Sequence, residues 1–200
     1  MSTPALRRFT PQEYLMLERQ ADFKSEYLDG QIIAMVGATR EHNLIAGNVF
    51  ASVHAQLGKR PCEVYQNDLR VGVNPRRLYS YPDVVVVCGK PQFEDDQLDT
   101  LLNPTLIVEV LSKSTEEFDR GEKFRRYRTL VSLQEYLLIA QQEYRLEQYT
   151  RQADGSWRLV EFDQLSDRVS LSSIDCHLLL ADVYEKVTVG RPPTWTAPTR

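Results

Sequence analysis

Two acidic residues stand in apolar runs. Asp83 opens Tyr81-Pro82-Asp83-Val84-Val85-Val86-Val87, and Glu109 interrupts Leu106-Ile107-Val108-Glu109-Val110-Leu111. A carboxylate taken out of water must be paired, hydrogen-bonded, protonated or bound to a cation, so a glutamate between two valines marks a place where charge is used. A pair of such acids suits magnesium. That ion takes hard oxygen ligands, retains several waters and needs only one or two carboxylates, a carbonyl such as that of Val110, and a substrate phosphate. Bound there, it would lower the pKa of an attacking water and offset charge on a scissile phosphate, with a nearby lysine orienting the water.

The elements that must position these acids are legible in outline. Thr10-Pro11-Gln12-Glu13 has the form of a capping box with proline in the first turn, predicting a helix to about Arg19. Asp29-Gly30, between two short apolar segments at 25–28 and 31–36, predicts a tight hairpin. Leu44, Ile45, Val49, Val53 and Leu57 recur at helical intervals and stop at Gly58, predicting a core-facing helix over 41–57. Strands follow at 62–66, 69–73, 84–88 and 105–111. The alternating 69–73 segment reads as half-exposed, and the last two read as central strands covered on both faces. The acidic segment 91–103 reads as a solvated loop. Ser114-Thr115-Glu116-Glu117 reads as a second capping box, opening a helix to about Thr129 with Phe118, Phe124, Tyr127 and Val131 on one face. A strand over 135–140, a hairpin from 143–149 to 157–162 and an amphipathic piece over 178–187 complete a mixed α/β pattern.

In that order the residues resemble a known family. Ser25-Glu26-Tyr27-Leu28-Asp29-Gly30, His42-Asn43, Pro82-Asp83, Glu109-Val110-Leu111-Ser112 with Ser114-Thr115, and Asp119-Arg120-Gly121-Glu122-Lys123-Phe124-Arg125-Arg126-Tyr127 together are similar to the Uma-two group within the PD-(D/E)XK nuclease superfamily. Each string alone is weak, whereas five in succession over roughly residues 10–185 are specific. The resemblance implies a restriction-endonuclease-like α/β (α+β, mixed-sheet) core of helix, three strands, helix and strand, with an added N-terminal hairpin and a C-terminal β-hairpin. It implies Mg2+-dependent hydrolysis of DNA, with Mn2+ as a substitute ion, by Asp83, Glu109 and the Val110 carbonyl, with Glu26 as a third acid. The superfamily lysine lies two positions after the acid, where this chain has Leu111. The resemblance implies that Lys123 replaces it from the following helix, with Lys113 as a second candidate amine. His42 and Tyr127 are accessory candidates near the site.

For DNA contact the sequence offers Arg120, Arg125 and Arg126 in one dense cluster and Arg70, Arg76 and Arg77 in a looser one. The bland alternative for the first is a helix face salt-bridged to Glu116, Glu117 and Glu122. Across all 200 residues the net charge of −4 excludes a broad basic face, so these residues would position backbone phosphates rather than read bases. Cys62, Cys88 and Cys176 are odd in number, far apart and lack any Cys-x-x-Cys spacing, so neither a disulfide framework nor a zinc site is expected and a reducing cytoplasm fits. No run approaches a membrane-spanning length. A composition with 42% hydrophobic and 26% charged residues suits one folded domain over 1–190, with 191–200 as a loose tail. Enzymes that cut both strands are commonly two-fold dimers, so a homodimer is expected. The competing reading is a nuclease fold that has lost its chemistry and serves as a binding or assembly module. Paired-carboxylate glycoside hydrolysis is disfavoured by the buried strands and the lack of an aromatic sugar platform.

Overall fold

A computed structural model describes residues 7–73, 77–113 and 115–190. Helix α1 (Pro11–Glu18) begins with the expected capping box, in which the Thr10 side chain accepts from the Glu13 N–H and the Glu13 carboxylate accepts from the Thr10 N–H. Strands β1 (Ser25–Leu28) and β2 (Gln31–Ala34) form the expected hairpin. Asp29 and Gly30 both adopt positive φ, 46° and 92°, as a two-residue turn of this hand requires. Helix α2 (Arg40–Leu57) is capped by Thr39 and closes at Gly58.

The remaining strands are β3 (Cys62–Gln66), β4 (Arg70–Val73), β5 (Leu78–Ser80), β6 (Val84–Cys88), β7 (Thr100–Leu101), β8 (Leu106–Leu111), β9 (Glu135–Ala140), β10 (Leu146–Arg151), β11 (Trp157–Phe162), β12 (Arg168–Leu171) and β13 (Cys176–Leu179). They build a six-stranded sheet in the order β11-β10-β9-β8-β6-β3, a five-stranded sheet β2-β1-β5-β4-β7 and the pair β12-β13. In the larger sheet β8 and β9 are parallel, whereas β6 runs antiparallel to both its neighbours.

The central strands are covered on both faces, as their nearly continuous apolar runs require. Val84, Val86, Val108 and Ile139 pack with Ile45, Val49 and Val53 of α2 and with the chain around β13. On the other face Val85, Val87, Ile107, Leu111 and Leu138 meet Val71, Val73 and Leu78 of the smaller sheet, together with Tyr127 and Tyr136. Period-two alternation puts Glu109 on this second face, with Ile107 and Leu111.

Several expectations are corrected. β4 is buried at every position rather than half-exposed, because the two sheets close over it. Segment 91–103 contains β7 and is tied to α1, with Arg19 paired to both Asp95 and Asp99. The connection from β8 to β9 is not one α-helix but α3 (Glu116–Phe118), a π-helical turn (Asp119–Lys123) and α4 (Phe124–Tyr127). Thr115 makes no side-chain cap; instead its N–H donates to the Ser112 side chain, while Ser114 lies outside the described residues. Val131 is exposed beyond the helix. The 178–187 segment is the end of β13 followed by a short helix α5 (Leu180–Val183), because Leu178 and Leu179 pair with β12, which the sequence reading missed. Cys62 and Cys88, whose spacing suggested no disulfide framework, are joined in a disulfide, since the β3–β6 register sets them directly opposite one another. The expected loose tail, 191–200, lies outside the described residues.

Candidate active site

Strand register assembles the site before any side chain is considered. Val84 pairs with Val108 across β6 and β8, and the same register continued by one residue sets Asp83 opposite Glu109. Tyr27 pairs with Tyr79 across β1 and β5, which by the same step sets Glu26 opposite Ser80. The two sheets thus bring three acids, distant in sequence, to one place. The π turn supplies the cation. Lys123 is buried, and its Nζ stands 3.1 Å from Glu109 Oε1, 3.2 Å from Glu26 Oε1 and 3.3 Å from Asp119 Oδ1. A π turn adds a residue to the helical repeat and re-aims side chains, a device frequent at functional sites.

Each acid is held by partners of its own. Asp83 Oδ2 accepts from the Val110 N–H at 2.7 Å, and Oδ1 lies 2.7 Å from His42 Nε2 in the first turn of α2. Glu109 Oε1 accepts from the Tyr127 hydroxyl at 3.0 Å, and that hydroxyl is 2.7 Å from Ser80 Oγ. Glu26 Oε1 is 3.4 Å from the Tyr81 N–H, one residue from the Pro82-Asp83 step. Asp119 is almost fully buried and its backbone carbonyl accepts from Tyr136, yet its Oδ1 makes no hydrogen bond despite lying beside the ammonium.

The electrostatics follow from counting charges around one buried ammonium. Burial pushes the Glu109 carboxyl well above its usual range; Lys123 opposes that shift, and Asp119, Asp83 and Glu26 add to it. Burial pulls the Lys123 ammonium down, but the groups around it, Glu109 and Glu26 first and then Tyr127 and Asp119, together hold the lysine charged well above its usual value. Burial likewise raises the Tyr127 hydroxyl, which stays a donor.

Three carboxylates around one ammonium, with Asp83 opposite Glu109 on the neighbouring strand, leave an excess of negative charge and hard oxygen donors, which is the chemistry of a divalent-cation site. Asp83, Glu109 and Glu26, with the Val110 carbonyl, are the groups that would hold such an ion. Among the described residues no three His, Cys, Asp or Glu side chains already stand as a metal cluster. In this arrangement Lys123 lies between Glu26 and Glu109, and His42 takes one oxygen of Asp83.

The expected residues Glu26, Asp83, Glu109, Lys123, His42 and Tyr127 therefore meet. Lys113 does not join them: it is exposed beyond β8. The arginines divide differently from expectation. Arg70 is buried, bonded to Tyr81 and Thr100 and paired with Asp99, so it offers nothing to a phosphate. Arg120 is paired with Glu116 and Glu147, Arg125 with Glu122, and Arg126 with Asp29 and Glu122. The salt-bridged alternative describes that face. Arg77 is exposed, and Arg76 lies outside the described residues. Asp119 and Ser80 were missed as site residues. The signal for Asp119 was its position four before Lys123, on the same helical face.

A family model described as "Uma2: Putative restriction endonuclease" matches residues 11–180. The chain belongs to the Uma2 family. Two relatives from Synechocystis sp. (strain ATCC 27184 / PCC 6803 / Kazusa) support this. The uncharacterized protein sll1609 is 42% identical over 152 residues, covering 76% of this chain and 86% of the relative. The uncharacterized protein slr1290 is 36% identical over 177 residues, covering 88% and 92%. The crystal structure of "a putative nuclease belonging to DUF820" from Anabaena variabilis ATCC 29413 superposes with a TM-score of 0.74, covering 90% of this chain and 99% of that one at 20% identity. That likeness gives the restriction-endonuclease-like fold of this Uma2 chain. Among the described residues no helix is long and apolar enough to cross a membrane.

Proposed function

We propose that this Uma2 protein is a divalent-metal-dependent endonuclease that hydrolyses phosphodiester bonds in DNA. The observation that carries the reading is the convergence of Glu26, Glu109 and Lys123 beside Asp83, from two sheets and the π turn. Magnesium, or manganese in its place, would supply Lewis acidity and an activated water when bound. The chain's own residues do the rest. Asp83, fixed by the Val110 N–H and His42, and Glu109, fixed by Tyr127, present oxygens in a preset geometry. Lys123, entering from the helical side, orients the attacking water and faces the phosphate charge that builds in the transition state. Leu111 occupies the strand position where the superfamily lysine usually stands, and Lys123 delivers an amine to the same acids from another element.

Phosphate contact falls to exposed cations, Arg77, Arg128 and Lys113 among them, rather than to the paired arginines. A two-fold dimer would let two sites address two strands, and β11, the last strand of its sheet, offers an edge for it.

The test is cleavage of supercoiled plasmid with magnesium, manganese or chelator, comparing wild type with Asp83→Ala and Lys123→Ala at matched folding. Metal-dependent nicking lost in both variants supports the reading. Folded protein that binds DNA without turnover under every divalent ion would replace it with a binding module.

A further inference from the structure

Lys123 is held by more acids than the orienting of a water requires. It lies between Glu26 and Glu109 at ion-pair distance from each, as a cation bridging two carboxylates would. A third acid, Asp119, comes from Lys123's own π turn, and its buried Oδ1 stands 3.3 Å from the ammonium with no hydrogen bond of its own. A buried carboxylate oxygen without a hydrogen bond is costly, and it is retained here within reach of a flexible ammonium.

We propose that Lys123 and a divalent cation compete for Glu26 and Glu109, and that Asp119 is the positioning residue that receives the Lys123 ammonium when the cation binds. The inference rests on the metal-site reading above and deepens it. With no cation, Lys123 offsets part of the negative charge and keeps the acids from repelling one another. With a cation, its ammonium withdraws toward Asp119. That acid belongs to the helical segment and not to the strands that present the ligands, so the amine stays beside the site without remaining among the ligands. Removing Lys123 therefore strengthens cation binding while abolishing turnover. Removing the Asp119 charge leaves Lys123 no alternative seat and weakens cation binding.

The experiment is calorimetric titration of the folded full-length protein with manganese(II) alone, with no nucleic acid. Lys123→Met is expected to bind about 5–150-fold more tightly than wild type, the usual range of coupling between two ligands that oppose each other. Asp119→Asn is expected to bind at least about fivefold more weakly. Asp119 could also act only as a nearby negative charge, so the Asp119→Asn/Lys123→Met double variant closes the cycle: the Asp119 effect should vanish once Lys123 is gone. The double variant removes one charge of each sign. If Lys123→Met alone does not fold, the double variant must still bind more tightly than Asp119→Asn. Unchanged or weaker binding when Lys123 is removed overturns the proposal, as does an Asp119 effect of equal size with and without the lysine. Asp83→Ala separates this from the broader reading. Manganese binding that depends on Asp83 but ignores Lys123 sinks the competition alone, whereas no binding in any variant sinks both.

Discussion

His42 and Tyr127 are the side chains on which the placement of the two central acids rests. His42 takes one oxygen of Asp83 while the backbone takes the other, so the carboxylate cannot rotate without losing a partner. His42→Ala should reduce manganese affinity by about 10–100-fold, the usual cost of losing a partner that orients a metal ligand. Titration of the folded variant checks this, and wild-type affinity would remove His42 from the site. Tyr127 differs because its contribution is also to the fold: its hydroxyl links Ser80 to the buried Glu109. Tyr127→Phe keeps the ring and deletes one hydrogen bond to a buried acid. Urea unfolding should show a loss of about 1–3 kcal/mol. A loss near zero would mean that the two oxygens find other partners.

At the scale of elements, the site depends on how the smaller sheet and α1 are held, and the clamp is a chain of polar contacts. Glu18 of α1 accepts from Tyr81, Tyr81 also accepts from Arg70, and Arg70 pairs with Asp99, which pairs in turn with Arg19, the residue that caps the C-terminus of α1. Tyr81 is also the residue whose N–H approaches Glu26, so the clamp adjoins the active acids. The Arg19 hydrogen bonds hold the Asp99 carboxyl well below the usual aspartate range; partial burial opposes them and Arg70 reinforces them. A depressed folded value means that the unfolded chain binds the proton more readily. The stabilisation is therefore complete above the unfolded aspartate pKa of about 3.9, shrinks as the pH falls below it, and is gone once the pH passes below the folded value. Asp99→Ala leaves Arg70 buried without its counter-ion and should cost about 3 kcal/mol near neutrality, the low end for a broken buried pair because Asp99 is partly exposed. Unfolding curves across pH should show the gap between variant and wild type narrowing below about pH 4. A gap independent of pH would assign the loss to packing. These elements also show what a sequence can disclose. The Thr10–Glu13 cap, the Asp29-Gly30 turn and α2 were legible because their causes lie within a few residues of one another. The burial of Arg70 and the strand β5 were not, since both depend on a second sheet closing over β4. The π turn was hidden for a related reason: helical periodicity records where apolar residues fall, and the turn holds Asp119 and Lys123, whose ion partners come from strands far away in sequence.

For the molecule as a whole, the Cys62–Cys88 disulfide is the long-range tie that spacing could not reveal. Its partners are 26 residues apart and become neighbours only through the antiparallel register of β3 and β6. Legibility of the site has the same logic in reverse. Asp83 and Glu109 could be singled out because each breaks an apolar run, and Glu26 and Lys123 only through resemblance, since neither has an unusual local context. Closing a loop of that length removes conformational freedom from the unfolded chain, worth about 3.5 kcal/mol if native geometry is unstrained. The staple sits at the end of β6 away from the acids. At the other end, near the site, β3 leads to Asn67, whose N–H donates to the Asp83 carbonyl at 3.1 Å, so β3 touches Asp83 without help from the cysteines. Reduction, or Cys62→Ser with Cys88→Ser, should therefore lower unfolding free energy by about 2–4 kcal/mol and leave manganese affinity within about twofold of wild type. Denaturant curves with and without reductant measure the first, and titration measures the second. Affinity lost in step with stability would show that the edge strand holds Asp83 in register along its whole length, making the ion site a property of the entire sheet rather than of the few residues that meet at its centre.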